Sequence, residues 1–89
     1  MIRVHMFVSG MVQGVFFRQF TVELAHEFDL KGWVKNTKDG RVEIVAEGEP
    51  QQFVMFIAKL KIGPESAEVN DIVIEEEKPT GEFKSFERR

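Results

Sequence analysis

Hydrophobic positions along the chain change period several times, and each change marks an element. From Ile2 to Ser9 the pattern alternates: Ile2, Val4, Met6 and Val8 face one way, Arg3, His5, Phe7 and Ser9 the other. Period two over eight residues predicts a strand with one buried face. From Phe17 the spacing becomes three and four, through Phe20, Leu24 and Phe28, which predicts a helix over about 17–28. Residues 31–48, KGWVKNTKDGRVEIVAEG, read as a hairpin turning at Asp39-Gly40. Val42, Ile44 and Ala46 form its inner face after the turn, and Glu43 and Glu47 its wetter one. Glu49-Pro50 opens a second helix, because proline suits the first helical position. Phe53, Phe56, Ile57 and Leu60 make its stripe, and Gly63-Pro64 ends it. A further strand is expected over 67–77, with Ile72-Val73-Ile74 as its buried run and Glu75-Glu76-Glu77 as a solvated end. After a turn at Pro79-Thr80-Gly81, Phe83 and Phe86 anchor a short last edge strand. Trp33 and Phe16 are expected to pack.

The predicted order is β-α-β-β-α-β with a short extra C-terminal strand. This is the α+β, ferredoxin-like arrangement, an antiparallel sheet with two helices on one face. A helical crossover joins the first strand to the strand at 31–36, so the two should run parallel. Their C-terminal ends then lie at one edge of the sheet, which brings the loop after residue 9 toward Asn36.

That loop lies within VSGMVQGVFFR, residues 8–18. A glycine-bearing turn between a strand and a helix aims several backbone N–H groups at one point, and the helix N-terminus adds partial positive charge there. Such a place suits a phosphate. Taken singly, Arg18 reads more readily as a solvated cation and Gln13 as a loop amide facing water, while Asn36 reads equally as a turn residue.

Composition narrows the chemistry. Eighty-nine residues, 43% of them hydrophobic, support a single domain, 1–89, with one core. There is no cysteine, which excludes disulfides and thiolate metal sites and fits a reducing, cytoplasmic setting. No apolar run is long enough to span a bilayer, and the alternating N-terminus is unlike a signal peptide, so no membrane is expected. Twelve Lys plus Arg against fifteen Asp plus Glu leave a net charge of −3, the wrong sign for a general nucleic-acid binder. Any anion site must be local. His5 and His26 have no partner at ligand spacing, so no metal site is read. Neither a cysteine nor a Ser or Thr with a His at motif spacing offers a nucleophile–base set.

GMVQGVFFR at 10–18 and GWVKNTKDGRVEIVAEG at 32–48 resemble the two signature motifs of the acylphosphatase family, and the element order over essentially the whole chain resembles it too. The resemblance implies hydrolysis of a carboxyl–phosphate anhydride to a carboxylate and inorganic phosphate. By the family's pattern, Arg18 binds the phosphoryl group. The backbone amides of Met11, Val12, Gln13, Gly14, Val15, Phe16, Phe17 and Arg18 cradle its oxygens, and Asn36 positions the attacking water. It implies no metal or organic cofactor, a small-molecule acyl phosphate as the partner, inorganic phosphate as product and competitive inhibitor, and a monomer. Met11 stands where the family often has a basic residue, Phe16 where it often has a small one, and Asp29 where it often has Gly. Phe16 could narrow the pocket or line it for an acyl group, and Asp29 could still adopt a left-handed helix cap. A non-catalytic module on the same fold is the alternative, either an RNA binder stacking bases on Phe7 or a small-ligand regulatory domain.

Overall fold

The computed structural model describes residues 1–89. Its elements run β1 (Ile2–Met11), α1 (Phe17–Glu27), β2 (Lys31–Asn36), β3 (Val42–Gly48), α2 (Pro50–Ile62), β4 (Glu68–Glu77) and β5 (Phe86–Arg88). The five-stranded sheet has the order β4-β1-β3-β2-β5. β3 is antiparallel to both β1 and β2, so β1 and β2 point the same way, and β5 joins β2 in parallel. The ferredoxin-like α+β class follows. β1 extends to Met11, two residues past the alternating run, and α1 ends one residue before Phe28.

The core lies between the sheet's inner face and the helices. Val4, Met6 and Val8 of β1 meet Val42, Ile44 and Ala46 of β3 and Val34 of β2, covered by Phe17, Leu24, Phe53, Phe56 and Leu60 from the helices. α2 begins as expected, with Pro50 at its first turn and a capping box between Glu49 and Gln52. α1 ends with Asp29 at φ 56°, the left-handed conformation anticipated for it.

Four expectations need correction. Val73 and Ile74 are not buried; they are 45% and 43% exposed, and Ile72 is half-buried. β4 is an edge strand paired only with β1, and the core reaches Val69 and Ile72 but stops short of Ile74. Glu47 does not face water; it is 4% exposed. The segment after β4 folds over it, and its carboxylate accepts hydrogen bonds from the N–H groups of Thr80 (2.8 Å) and Gly81 (3.0 Å) and pairs with Arg3 (3.3 Å). Phe16, expected to pack, is 79% exposed. Phe86 is buried in β5 as an anchor, whereas Phe83 lies outside the strand, 5.1 Å from the Arg3 guanidinium.

The outer face of the sheet carries a charged network. Arg3 pairs with Glu47, Glu77 (3.2 Å) and Glu82 (2.9 Å). His5 is held by two carboxylates, Glu43 at Nε2 (2.7 Å) and Glu77 at Nδ1 (3.0 Å). Burial opposes charging of His5, but those hydrogen bonds outweigh it and raise its pKa. Burial likewise opposes ionisation of Glu47, yet the Thr80 and Gly81 amides and Arg3 hold its pKa below the usual range. Glu77 is lowered chiefly by its bond to His5.

A raised histidine pKa contributes stability that is complete below its unfolded value, near 6.5, and is lost as pH rises through the folded value. The lowered carboxylates contribute above about 4.5 and lose it as pH falls through their folded values. Stability measured by urea unfolding should therefore be greatest between about 4.5 and 6.5. It should decline as pH rises past neutrality, and His5→Gln should remove that alkaline decline. An unchanged slope in the variant would contradict this role for His5.

Candidate active site

The loop from Val12 to Phe16 is pinned at both ends by buried apolar side chains, Val12 and Phe17. Ahead of it, β1 slips register against β4 between Ser9 and Gly10. A side chain at Gly10 would sit 2.1 Å from the Glu68 carbonyl oxygen, so only glycine allows this approach. Within the loop, Gly14 (φ 73°) and Phe16 (φ 64°) take left-handed backbone conformations. For a residue as bulky as phenylalanine this costs about 1–2 kcal/mol. Alternating handedness turns successive N–H groups toward one side, a concavity that receives anions.

Those N–H groups are free. From Val12 to Gln19 no backbone N–H has an acceptor within the chain, and the first bond of α1 runs from Phe20 N to Phe16 O (3.0 Å). No side chain caps α1, in contrast to the capping box that closes α2. The helix N-terminus therefore opens into the loop with its donors and its partial positive charge unspent.

Arg18 stands in the first turn of α1. It is half-buried, and its Nη1 donates to a main-chain oxygen of Arg89, the last residue of the sequence, at 3.0 Å. A pocket of about 270 Å³ opens beside it, lined by Val12, Gly14, Phe16, Phe17, Arg18, Gln19 and Arg88. No carboxylate lines this pocket, which leaves it locally positive in a chain of net charge −3.

Asn36 is the last residue of β2 and does not line that pocket. It pairs with Val42 of β3, which pairs with Val8 of β1, so it lies two strands from the end of β1 at the same sheet edge. Its Oδ1 is the chain's one buried side-chain polar atom without a hydrogen-bond partner. Such an orphan costs about 1–3 kcal/mol unless something outside the chain satisfies it.

Gln13 joins the two halves. Its Nε2 donates to the carbonyls of Thr37 and Arg41, both at 2.8 Å, tying the loop to the hairpin turn that follows Asn36. It does not face water as expected, and nothing local in the sequence signals this brace, because its acceptors lie 24 and 28 residues away. The turn it grips is itself ordered: the Thr37 hydroxyl bonds Asp39, Arg41 N donates to Thr37 Oγ1 (3.0 Å), and Arg41 pairs with Asp39 (2.9 Å). The Thr37 bond, with Arg41 behind it, holds the Asp39 carboxyl below its usual range. From the other side, Ser66 Oγ donates to Val15 O at 3.0 Å. Met11, 63% exposed at the end of β1, is not a lining residue.

Phe7 does not offer a free ring on the outer face. The Arg41 guanidinium lies 4.3 Å above its centroid and the His5 ring 4.9 Å away. Base stacking there would have to displace both.

An open helix N-terminus and a glycine loop beside Arg18 sit at one end of a ferredoxin-like α+β sheet, and comparison with known proteins identifies the family. The acylphosphatase family model matches residues 4–88. An acylphosphatase of Marinobacter nauticus is 49% identical over 84 residues, covering 94% of this chain and 91% of that protein. One from Syntrophotalea carbinolica is 48% identical over 88 residues, covering 99% and 96%. The crystal structure of acylphosphatase from Bacillus subtilis superposes with a TM-score of 0.96 at 38% identity, covering 100% of this chain and 99% of that one. The chain belongs to the acylphosphatase family.

Gln13→Ala should cost about 0.5–1.5 kcal/mol, since it removes hydrogen bonds to two carbonyls that keep other donors, Gly40 N–H for Thr37 and Thr37 N–H for Arg41. Amide hydrogen exchange should accelerate in both 12–16 and 37–41. Acceleration in only one of the two segments would show that the brace does not couple them.

Proposed function

We propose that this chain hydrolyses acyl phosphates, with the 12–19 amides and Arg18 binding the phosphoryl group and Asn36 holding the attacking water. What most supports the reading is the pairing of unsatisfied groups at one sheet edge. A run of N–H donors and a guanidinium with no Asp or Glu partner lie near the end of β1, and an orphaned Asn36 Oδ1 lies at the end of β2.

In the proposed reaction the phosphoryl oxygens take hydrogen bonds from the loop amides and from Arg18. Guanidinium suits this task because its planar fork matches phosphate oxygens and stays charged at any working pH. Asn36 Oδ1 accepts a hydrogen bond from a water and holds it for attack at phosphorus. The new P–O bond forms as the bond from phosphorus to the carboxyl oxygen breaks, and the carboxylate leaves with that electron pair. Its conjugate acid has a pKa of roughly 4, so it needs no general acid. An amide oxygen is too weak a base to take the water's proton, which passes to a phosphoryl oxygen. Phosphoryl transfer asks a protein mainly for positioning and charge stabilisation, and these groups supply both. None of the proposed steps calls for a metal. All the groups come from one chain, so the proposed working unit is a monomer, and the absence of cysteine fits a cytoplasmic setting.

Benzoyl phosphate should be hydrolysed in the presence of EDTA, with inorganic phosphate competing against it. Arg18→Ala should lower kcat/KM on the order of 10³–10⁵-fold, as expected when an arginine that neutralises transition-state charge is lost. Asn36→Ala should lower kcat about 10²-fold with little change in phosphate inhibition, because it misplaces water rather than the anion. Arg18→Ala activity within tenfold of the parent would refute the role of Arg18. No hydrolysis by the parent would refute the function.

A further inference from the structure

The chain has five arginines, and three of them are committed to carboxylates: Arg3 to Glu47, Glu77 and Glu82, Arg41 to Asp39, and Arg89 to Glu87 at 3.9 Å. Arg18 and Arg88 are the two with no Asp or Glu side-chain partner, Arg18 bonding instead to the main-chain oxygen of Arg89, and both line the same pocket of about 270 Å³. Two arginines lining one pocket that no Asp or Glu lines raise the local positive potential, which an anion lowers.

Arg88 is delivered there by the fold. β5 runs parallel to β2 with Arg88 opposite Val34, the buried side chain of Phe86 fixes the strand against the core, and Arg89 N donates to Val34 O at 2.8 Å. The two arginines differ in depth. Arg18 is half-buried in the first helical turn beside the free amides, whereas Arg88 is exposed at the mouth. A phosphoryl group seated on the amides and Arg18 would share its pocket with Arg88 and the exposed Phe16.

We infer that Arg88 is a specificity-determining residue that selects acyl phosphates whose acyl half carries its own negative charge, such as a carboxylate beyond the reacting carbonyl. The inference rests on the proposed hydrolysis and on the seating of the phosphoryl group at Arg18.

The test compares 4-carboxybenzoyl phosphate with benzoyl phosphate, rigid substrates differing in one distal carboxylate, at low ionic strength where exposed charges act most strongly. The readout is the ratio of their kcat/KM values. The parent should favour the carboxylated substrate, and Arg88→Gln should lower the ratio about fivefold, within the reach of an exposed ion pair. Arg88→Lys should keep most of the preference, Arg88→Glu should push the ratio below that of Arg88→Gln, and 0.5 M NaCl should erode the parent's preference. A ratio within twofold of the parent in both Arg88→Gln and Arg88→Glu overturns the inference. So does an equal fall for both substrates, which would place Arg88 on the phosphoryl half. If the parent hydrolyses neither substrate, the proposed function itself fails, and that outcome is distinct from hydrolysis of both with no dependence on residue 88.

Discussion

The organising constraint in this structure is a set of backbone donors with nowhere to go inside the chain. A helix leaves its first N–H groups unpaired, and proteins usually close that end with a side chain, as α2 does through Glu49 and Gln52. α1 is left open, and the loop before it adds more unpaired N–H groups. The surrounding structure holds that opening in shape. Val12 and Phe17 pin its ends, Gly10 lets β1 pass close to β4, and Gln13 and Ser66 fasten it from two sides. Phe16 stays in a costly left-handed conformation with its ring in solvent, a strain that marks function more often than accident.

The sheet separates two kinds of electrostatics. On its outer face, carboxylates and cations answer one another: Arg3 and His5 share Glu77, and Glu47 is sealed beneath the 79–82 turn. That network stabilises the fold and carries its pH dependence. At the edge where β1 and β2 end, the same acidic chain places two arginines and a row of N–H dipoles with no carboxylate lining the pocket. Net charge therefore says little about this site. Which charges are already spoken for says much more.

Local patterns made most of the fold legible. Alternation in β1, the helical stripes beginning at Phe17 and Phe53, the Asp39-Gly40 turn and the Glu49-Pro50 start each depend on neighbours within a few residues, and each stands in the structure. The parallel direction of β1 and β2 was also readable, because a helical crossover requires it. What the pattern missed depends on distant partners. Glu47 reads as a solvent-facing strand residue until the segment thirty residues later folds over it. Ile74 reads as core because nothing in its sequence says that β4 has a neighbour on one side only. At the candidate site, Arg18 and Asn36 stood out only through the resemblance of their two segments to the family's motifs. Gln13 looked like any loop amide, and Arg88 was not singled out at all, since the contacts that place them come from the 37–41 turn and from β2.

The central claim is that the free amides of the 12–19 segment, with Arg18, form the anion site. It is tested most directly by titrating ¹⁵N-labelled protein with inorganic phosphate and following backbone and arginine side-chain resonances. Saturable shifts concentrated on the amides of Gln13 to Gln19 and on the Arg18 guanidinium, with the capped start of α2 unmoved, are the predicted result. Absence of saturable shifts in that segment, or equal shifts at Gln51 to Phe53, would contradict the account.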